Sequence, residues 1–244
     1  QNQKLITDCN VDIGKFWSDV TQYSKDNKMD PTLSYMLLLE NKMYDAKIEI
    51  SKHNFQTYGK QLELFQGVNE WFSRIKEYGK SNNVEIEHYI ISSGLTNMIE
   101  GCSFYNELHK VYACEYVFKN GRGHWPKLSV NYSNKVQFIY RIHKGAFEVH
   151  DQDGVNQKKY FGDHIHVPFE NMIFFGDGET DVPTFNVLNK NNGKSVCVYE
   201  DKNQKSIDIA NKLFSDGRVH HLVKNDYSEN SEIDKLIKSI VKSK

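Results

Sequence analysis

The chain has 244 residues, of which 39% are hydrophobic and 26% charged, enough for a core domain and a smaller accessory unit but too few for three ordinary domains. Its formal net charge of −1 argues against nucleic acid or an anionic membrane as the main partner. No apolar run approaches the roughly 20 residues that a membrane-spanning helix requires.

The first third of the chain is predicted to be helical. Apolar residues recur at helical spacing over residues 11–28 and again over residues 67–80. Between these, Asp30-Pro31 predicts the start of another helix, because an N-cap acceptor precedes a proline at the first helical position. A further short segment, 55–64, completes this helical group.

After residue 87, short apolar strands alternate with amphipathic helices, which is the pattern of a parallel α/β sheet. Lys119-Asn120-Gly121 predicts the turn of a hairpin between residues 115 and 125. The predicted strands are 88–92, 110–114, 172–175, 195–199 and 219–223, and the predicted helices are 95–101, 133–143, 182–190, 206–214 and 231–241.

An acidic loop, Gly176-Asp177-Gly178-Glu179-Thr180-Asp181, follows the predicted strand 172–175. Parallel sheets place binding sites beyond the carboxyl ends of their strands, and two carboxylates on a glycine-flanked turn can meet one Mg²⁺ ion. The alternative is a helix-capping acidic turn, with Asp181 at the helix start. The pattern alone leaves both interpretations open.

Small polar residues, Ser92-Ser93-Gly94, follow the predicted strand 88–92 and precede a helix. A hydroxyl together with free backbone N–H groups can hold a phosphate there. An ordinary strand-to-helix turn, with Ser92 or Ser93 as the N-cap, is the alternative.

Lys135 lies where another predicted helix begins. Its ammonium is a compact positive charge that can reach a phosphoryl oxygen or neutralise crowded carboxylates. By itself a lysine at this position indicates only a solvated helix surface.

Together, the serine after one strand, the lysine at a later helix start and Gly-Asp-Gly-x-Thr-Asp after another strand resemble the second, third and fourth motifs of the haloacid dehalogenase (HAD) superfamily. The order along the chain agrees. Residues 88–100, 129–145 and 168–186 resemble a group of uncharacterised bacterial hydrolases related to phosphoserine phosphatases, and this resemblance extends from about Asp12 to the last predicted helix.

The resemblance implies a magnesium-dependent phosphatase that hydrolyses a small phosphomonoester through an aspartyl-phosphate. Ser92 would bind a phosphoryl oxygen, and the backbone N–H groups of Ser93 and Gly94 would add further donors. Lys135 would stabilise the nucleophile and the phosphoryl charge. Such a mechanism depends mainly on positioning and charge neutralisation.

For the metal, the resemblance implies that Asp177 ligates Mg²⁺ directly and that Asp181 is a second ligand or a partner of one. It also implies a first motif, Asp-x-Asp-x-Thr, whose first aspartate attacks phosphorus and whose second acts as general acid and then base. No such motif is visible, because residues 1–10 contain neither an apolar strand nor paired aspartates.

In the implied fold, the strand of the first motif lies at the centre of the sheet, between the strands that end at Ser92 and Phe175. Without it, unpaired N–H and C=O groups would cost roughly 1–3 kcal/mol each, against a domain stability of ~5–15 kcal/mol. We therefore expect the protein to contain this strand just before Gln1.

Several other features are expected to be structural or solvated. Asp151-Gln152-Asp153-Gly154 has the Asp-x-Asp spacing but lies between the third and fourth motifs without the needed threonine, and we predict a surface turn. The closest histidine pairs, His164-x-His166 and His220-His221, have no third ligand at plausible spacing. Four cysteines without paired spacing indicate reduced, mostly buried thiols in a cytoplasmic protein: Cys9, Cys102, Cys114 and Cys197.

The predicted architecture is α/β: a Rossmann-like, three-layer, HAD-like core with a parallel sheet over 81–244, a helical cap domain over 11–80, and a linker over 1–10. Cap residues that are candidates for selecting the leaving group are Tyr35, Met36, Glu40 and Lys42. Two alternatives stay open: a non-catalytic protein of this fold that binds a phosphorylated ligand or a protein partner, and a phosphotransferase or mutase.

Overall fold

A computed structural model describes residues 2–156 and 165–244 as a mixed α/β protein. The helices are α1 (Gln3–Asp8), α2 (Ile13–Asn27), α3 (Pro31–Asp45), α4 (Lys52–Gly59), α5 (Val68–Ser81), α6 (Thr96–Ile99), α7 (Lys135–Lys144), α8 (Gln152–Asn156), α9 (Val182–Lys190), α10 (Gln204–Ser215) and α11 (Glu232–Lys242). The strands are β1 (Tyr89–Leu95), β2 (Lys110–Lys119), β3 (Arg122–Leu128), β4 (Ile173–Gly176), β5 (Lys194–Tyr199) and β6 (His221–Lys224).

The chain divides into two compact units, and each is described by itself. Unit 1 comprises Gln1–Leu64 and His88–Asn131, and unit 2 comprises Phe65–Glu87 and Tyr132–Lys244. These units divide the chain at positions other than the predicted boundaries, so the cap over 11–80 and the core over 81–244 stay predictions.

In unit 1, α3 begins where Asp30-Pro31 predicts, whereas the short segment predicted over 55–64 is the helix α4, Lys52–Gly59. Asp30 caps α3, because its Oδ1 accepts hydrogen bonds from the N–H groups of Thr32 and Leu33, at 2.9 and 3.0 Å. The segment 1–10, expected to be a linker, instead contains α1. That short helix forms because Leu5 and Ile6 are almost completely buried, which fixes the segment against the rest of unit 1.

The sheet of unit 1 has the order β1-β2-β3. β1 and β2 are parallel, and β2 and β3 form the predicted antiparallel hairpin, in which Lys119 is paired with Arg122. Asn120 and Gly121 make the two-residue turn and both have positive φ, 53° and 80°. An asparagine-glycine pair tolerates this left-handed backbone, which explains the sequence signal.

The sheet of unit 2 has the order β4-β5-β6 and is parallel throughout. The central strand β5 is buried on both faces: Val196 and Val198 join an apolar cluster with residues of α5 and α11, whereas Cys197 joins a cluster with residues of α9 and α10. We call these the α5/α11 face and the α9/α10 face. Helices on both faces explain why these strands are almost continuously apolar.

Two further segments depart from the prediction. The helix expected over 95–101 is only the four-residue α6. The predicted surface turn at 151–154 runs into the short helix α8, where Oδ1 of Asp151 accepts the N–H of Gly154 at 2.7 Å.

The segment between α7 and α8 is held by Arg141 of α7. Its buried guanidinium donates hydrogen bonds to four backbone carbonyls of that segment, those of Ala146, Glu148, Val149 and Asp151.

The four cysteines carry free, buried thiols, as predicted. Burial raises the pKa of the Cys114 thiol to about 11. Within the described ranges, no helix is both long enough and apolar enough to cross a membrane.

Candidate active site

The candidate site of unit 2 lies at the carboxyl end of β4. β4 ends at Gly176, Asp177 follows immediately, and a single 3-10 turn, Glu179–Asp181, leads into α9. Because β4, β5 and β6 are parallel, the loops that follow them lie at the same edge of the sheet, where α/β proteins place ligands.

Gly176 allows the acidic loop to fold back on itself. A Cβ atom at this position would lie 2.6 Å from Oδ2 of Asp181 and 2.6 Å from Cζ of Phe185, closer than such atoms approach. Gly178, in contrast, has open space where a Cβ would be and an extended φ of −168°. The first glycine is therefore required for close packing, whereas the second is not required by the backbone.

The structure brings Lys135 and Asp181 together, although 46 positions separate them. Nζ of Lys135, in the first turn of α7, lies 2.7 Å from Oδ1 of Asp181, and both residues are buried, with 8% and 2% of their surface exposed. The other carboxylate oxygen of Asp181, Oδ2, accepts the backbone N–H of Asp177 at 3.1 Å. Asp181 thus links the lysine to the backbone of the acidic loop.

Asp177 has the free carboxylate of the loop. It is exposed, and its side chain has no hydrogen-bond or ion-pair partner among the residues that the structure describes. Partial desolvation by surrounding protein atoms raises the pKa of Asp177, the nearby negative charge of Asp181 raises it further, and Lys135 opposes both. A cation bound here would relieve this electrostatic strain.

These residues fit Mg²⁺ unequally. A magnesium site needs one or two protein carboxylates and otherwise keeps waters and phosphate oxygens. Asp177 meets this requirement, whereas both oxygens of Asp181 are already used by Lys135 and by the Asp177 backbone. The geometry therefore favours Asp177 as the ligand and Asp181 as the residue that orients the loop, the second of the two roles expected for it.

Ser92, Ser93 and Gly94 belong to unit 1 and are described there. They end β1 in an irregular pairing with β2, and Oγ of Ser92 accepts the N–H of Gly94 at 3.0 Å. The Gly94 N–H, expected to be a phosphate donor, is thus already occupied, while Ser93 is exposed. The four-residue α6 that follows is too short to add a helix-terminus contribution to anion binding.

Two of the four predicted specificity residues are core residues. Tyr35 is 3% exposed and Met36 is fully buried. The stripe of α3 that they belong to packs inside unit 1, where Tyr116 donates a 2.6 Å hydrogen bond to the Met36 carbonyl. Glu40 and Lys42 are half-buried, so a role in substrate selection stays a prediction for these two alone.

In the histidine pair at 220–221, His220 has a structural role, one of the two kinds of role predicted for this pair. Nδ1 of His220 accepts a hydrogen bond from the backbone N–H of Ser195 at 3.2 Å. The backbone N–H of His220 donates to Oγ of Ser195 at 3.0 Å. Burial lowers the pKa of both histidines of this pair. Of the other pair, His164 lies outside the described residues, and Nε2 of His166 is 2.8 Å from a carboxylate oxygen of Glu87.

A second buried ionic group in unit 2 was missed from the sequence. Asp234, fully buried at the start of α11, accepts hydrogen bonds from Arg74 of α5 at 3.1 Å and from Lys238 at 2.8 Å. Arg74 also donates a 2.6 Å hydrogen bond to the carbonyl of Tyr227, on the loop after β6. No local pattern marks a pair separated by 160 positions.

No protein-family model matches the chain, and no solved structure matches it significantly. It is similar to an uncharacterized protein of Borreliella burgdorferi, to which it is 28% identical over 198 residues, 72% of this chain and 65% of that protein. The chain therefore spans less than two thirds of the length of this relative. The similarity assigns neither a family nor an activity.

Proposed function

We propose that the protein is a magnesium-dependent phosphatase of the HAD type, with a Rossmann-like core and a helical cap, acting on a small phosphomonoester. The observation that carries this proposal is the joining of Lys135, Asp181 and Asp177 at the carboxyl end of a parallel strand. The lysine and the acidic loop resemble two motifs of that superfamily, and the geometry links them by direct contacts.

In the proposed reaction, bound Mg²⁺ would neutralise charge on the transferring phosphoryl group. Asp177 would supply the carboxylate that holds the cation. Asp181 would keep the acidic loop in place, and Lys135 would stabilise negative charge beside it. Ser92, whose hydroxyl proton has no acceptor among the described residues, would donate to a phosphoryl oxygen.

The covalent step needs a nucleophilic aspartate, which the resemblance assigns to a strand that these 244 residues do not show. Within unit 2, among the residues that the structure describes, β4 pairs with β5 alone, so one edge of β4 has no strand partner. An apolar strand edge of this kind favours pairing with a further strand, and we propose that the first motif supplies it.

A second candidate is a non-catalytic protein of the same fold that binds a phosphorylated ligand. It needs only the metal-loop and lysine motifs, which these residues contain, and it becomes the favoured candidate if the full protein lacks both aspartates of the first motif. Binding without turnover is what this residue set could perform on its own. A cytoplasmic location is part of both candidates and is supported by the four free thiols.

Calorimetric titration with MgCl₂ in the presence of inorganic phosphate tests the metal site directly. We expect the wild-type chain to bind Mg²⁺ and the Asp177→Asn variant to lose at least about tenfold in affinity. Glu179→Gln is the matched control, because Glu179 belongs to the same loop but is exposed. Its Oε1 lies 3.5 Å from Nζ of Lys212, which is also exposed. We expect it to bind as the wild type does.

Turnover is measured as phosphate release from a panel of phosphomonoesters, with and without Mg²⁺, by protein that carries the expected first motif. Release that requires Mg²⁺ and is lost in Asp177→Asn supports the phosphatase. Binding of Mg²⁺ without any release favours the second candidate. Equal Mg²⁺ affinity of wild type and Asp177→Asn would show that the metal assignment is wrong.

A further inference from the structure

The loop that follows β6 is held firmly at the same sheet edge as Asp177. The N–H of Tyr227 donates to the carbonyl of Gln66 at 2.8 Å, and its carbonyl accepts from Arg74 at 2.6 Å. Gly67, with a φ of 77°, packs so tightly on this loop that any side chain there would collide with the Tyr227–Ser228 backbone. The main chain of Tyr227 is therefore fixed from two sides.

The aromatic ring of Tyr227 is fixed as well. It lies edge-on to the indole of Trp71, with ring centroids 5.5 Å apart and an interplanar angle of 81°. Phe175 of β4 packs edge-on to the same indole, at 5.9 Å and 85°. Trp71 therefore packs against both Tyr227 and Phe175, and Phe175 lies two positions before Asp177.

Phe175 brings this relationship close to Asp177 along the chain. Phe175 lies on the α5/α11 face together with Trp71 and Tyr227. Asp177 follows it by two residues, immediately beyond the end of β4 at Gly176. The negative charge of Asp177 acts on the Tyr227 phenol: burial first, and then this charge, raise the pKa of Tyr227 to about 12.

The hydroxyl of Tyr227 differs from the rest of the residue. No hydrogen bond joins it to any residue in the described ranges, although its backbone groups, ring and loop are all held. A half-buried phenol that is rigidly placed and lacks an acceptor is a donor available to a ligand.

We infer that Tyr227 is a ligand-binding residue of the Asp177 site, donating a hydrogen bond from its hydroxyl to an oxygen of the phosphate group bound there. This inference rests on the proposed function and adds to it a residue outside the three motifs. No local sequence pattern marks Tyr227, because its link to β4 is made by Trp71, against which both Tyr227 and Phe175 pack edge-on.

Phosphate binding in the presence of saturating Mg²⁺ tests the inference. The full chain is titrated calorimetrically with inorganic phosphate, as wild type and as Tyr227→Phe, which keeps the ring against Trp71 and removes only the hydroxyl. Tyr199→Phe is the matched control, because Tyr199 also ends a strand of this sheet but packs with the α9/α10 face. Thermal unfolding of each variant checks that the fold is retained.

We expect Tyr227→Phe to weaken phosphate binding about tenfold or more, the effect of one hydrogen bond to a charged group, with Mg²⁺ affinity unchanged. Tyr199→Phe should bind like the wild type. Equal phosphate affinity of Tyr227→Phe and wild type, or equal losses in both variants, would overturn this inference and leave the proposed metal site standing. A wild-type chain that binds neither Mg²⁺ nor phosphate would overturn both.

Discussion

Nζ of Lys135 lies 2.7 Å from Oδ1 of Asp181, and neither residue has more than a tenth of its surface exposed. In a buried ion pair, the attraction between the two charges offsets the cost of removing each of them from water. Either charge alone would be strongly disfavoured there. The same contact connects the helix start at Lys135 with the loop that carries Asp177. Both the stability of this region and the position of the acidic loop therefore depend on one pair of side chains.

Replacing Lys135 with methionine should be strongly destabilising, because it leaves the Asp181 carboxylate buried without its cation. We expect the free energy of unfolding to fall by about 3–5 kcal/mol. Urea denaturation measures this. The double variant Lys135→Met, Asp181→Asn should lose less than the sum of the two single losses, and strict additivity would show that the pair contributes nothing as a pair.

Gly176→Ala should damage the site, whereas Gly178→Ala should not. The added methyl group at Gly176 would overlap Asp181 and Phe185, and we expect a loss of about 1–3 kcal/mol in unfolding free energy together with weaker Mg²⁺ binding. The same methyl group at Gly178 enters open space. Denaturation and magnesium titration of both variants, side by side, test this contrast, and equal effects would contradict the described packing.

The sequence predicted those features that depend on nearby residues. The Asp30 cap, the Asn120-Gly121 turn and the strand-then-acidic-loop at 173–181 are each set by residues within one turn of the chain, so local patterns were sufficient. The contact of Lys135 with Asp181 joins residues of a predicted helix start and a predicted loop, and only the resemblance suggested that the two belong together.

Features that depend on tertiary packing were not predictable in this way. α1 exists because Leu5 and Ile6 find a core, although six residues have little helical tendency alone. The helical spacing of Tyr35 and Met36 is compatible with a position in a core or beside a ligand. In the structure both side chains are buried in the core of unit 1. The role of Asp234 depends on Arg74, far away in sequence.

The buried carboxylate of Asp234 should make the stability of unit 2 depend on pH. Burial alone would raise its pKa, but hydrogen bonds from Lys238, the Asn230 N–H and Arg74 outweigh burial and lower it. A carboxyl whose pKa is lower in the folded state contributes stability that is fully present above its unfolded pKa, about 3.9, and is lost as pH falls through the folded pKa.

The matching variant is Asp234→Asn. Its unfolding free energy should lie about 3–5 kcal/mol below wild type at pH 7. The difference should shrink as the pH falls from about 4 through the lower folded pKa, because the carboxyl is then protonated first in the unfolded state and finally in the folded state. Urea denaturation at several pH values measures the difference, and a gap that does not change with pH would refute the role of the ionised carboxylate.

Asp30 and Asp12 cap neighbouring helices of unit 1, and replacing them should have unequal effects. Asp12 accepts one N–H, that of Lys15, at 2.8 Å. Asp30 accepts two N–H groups at the start of α3, and its second oxygen also accepts a 2.6 Å hydrogen bond from the amide of Asn131. We expect Asp30→Ala to lower the free energy of unfolding by about 2 kcal/mol and Asp12→Ala by about 1 kcal/mol or less. The difference arises because the first change also removes the acceptor of the Asn131 side-chain amide.

Urea denaturation of both variants, with the Asn131→Ala variant to isolate the third hydrogen bond, gives the comparison. Equal losses for the two aspartates would mean that the bond to Asn131 adds no stability.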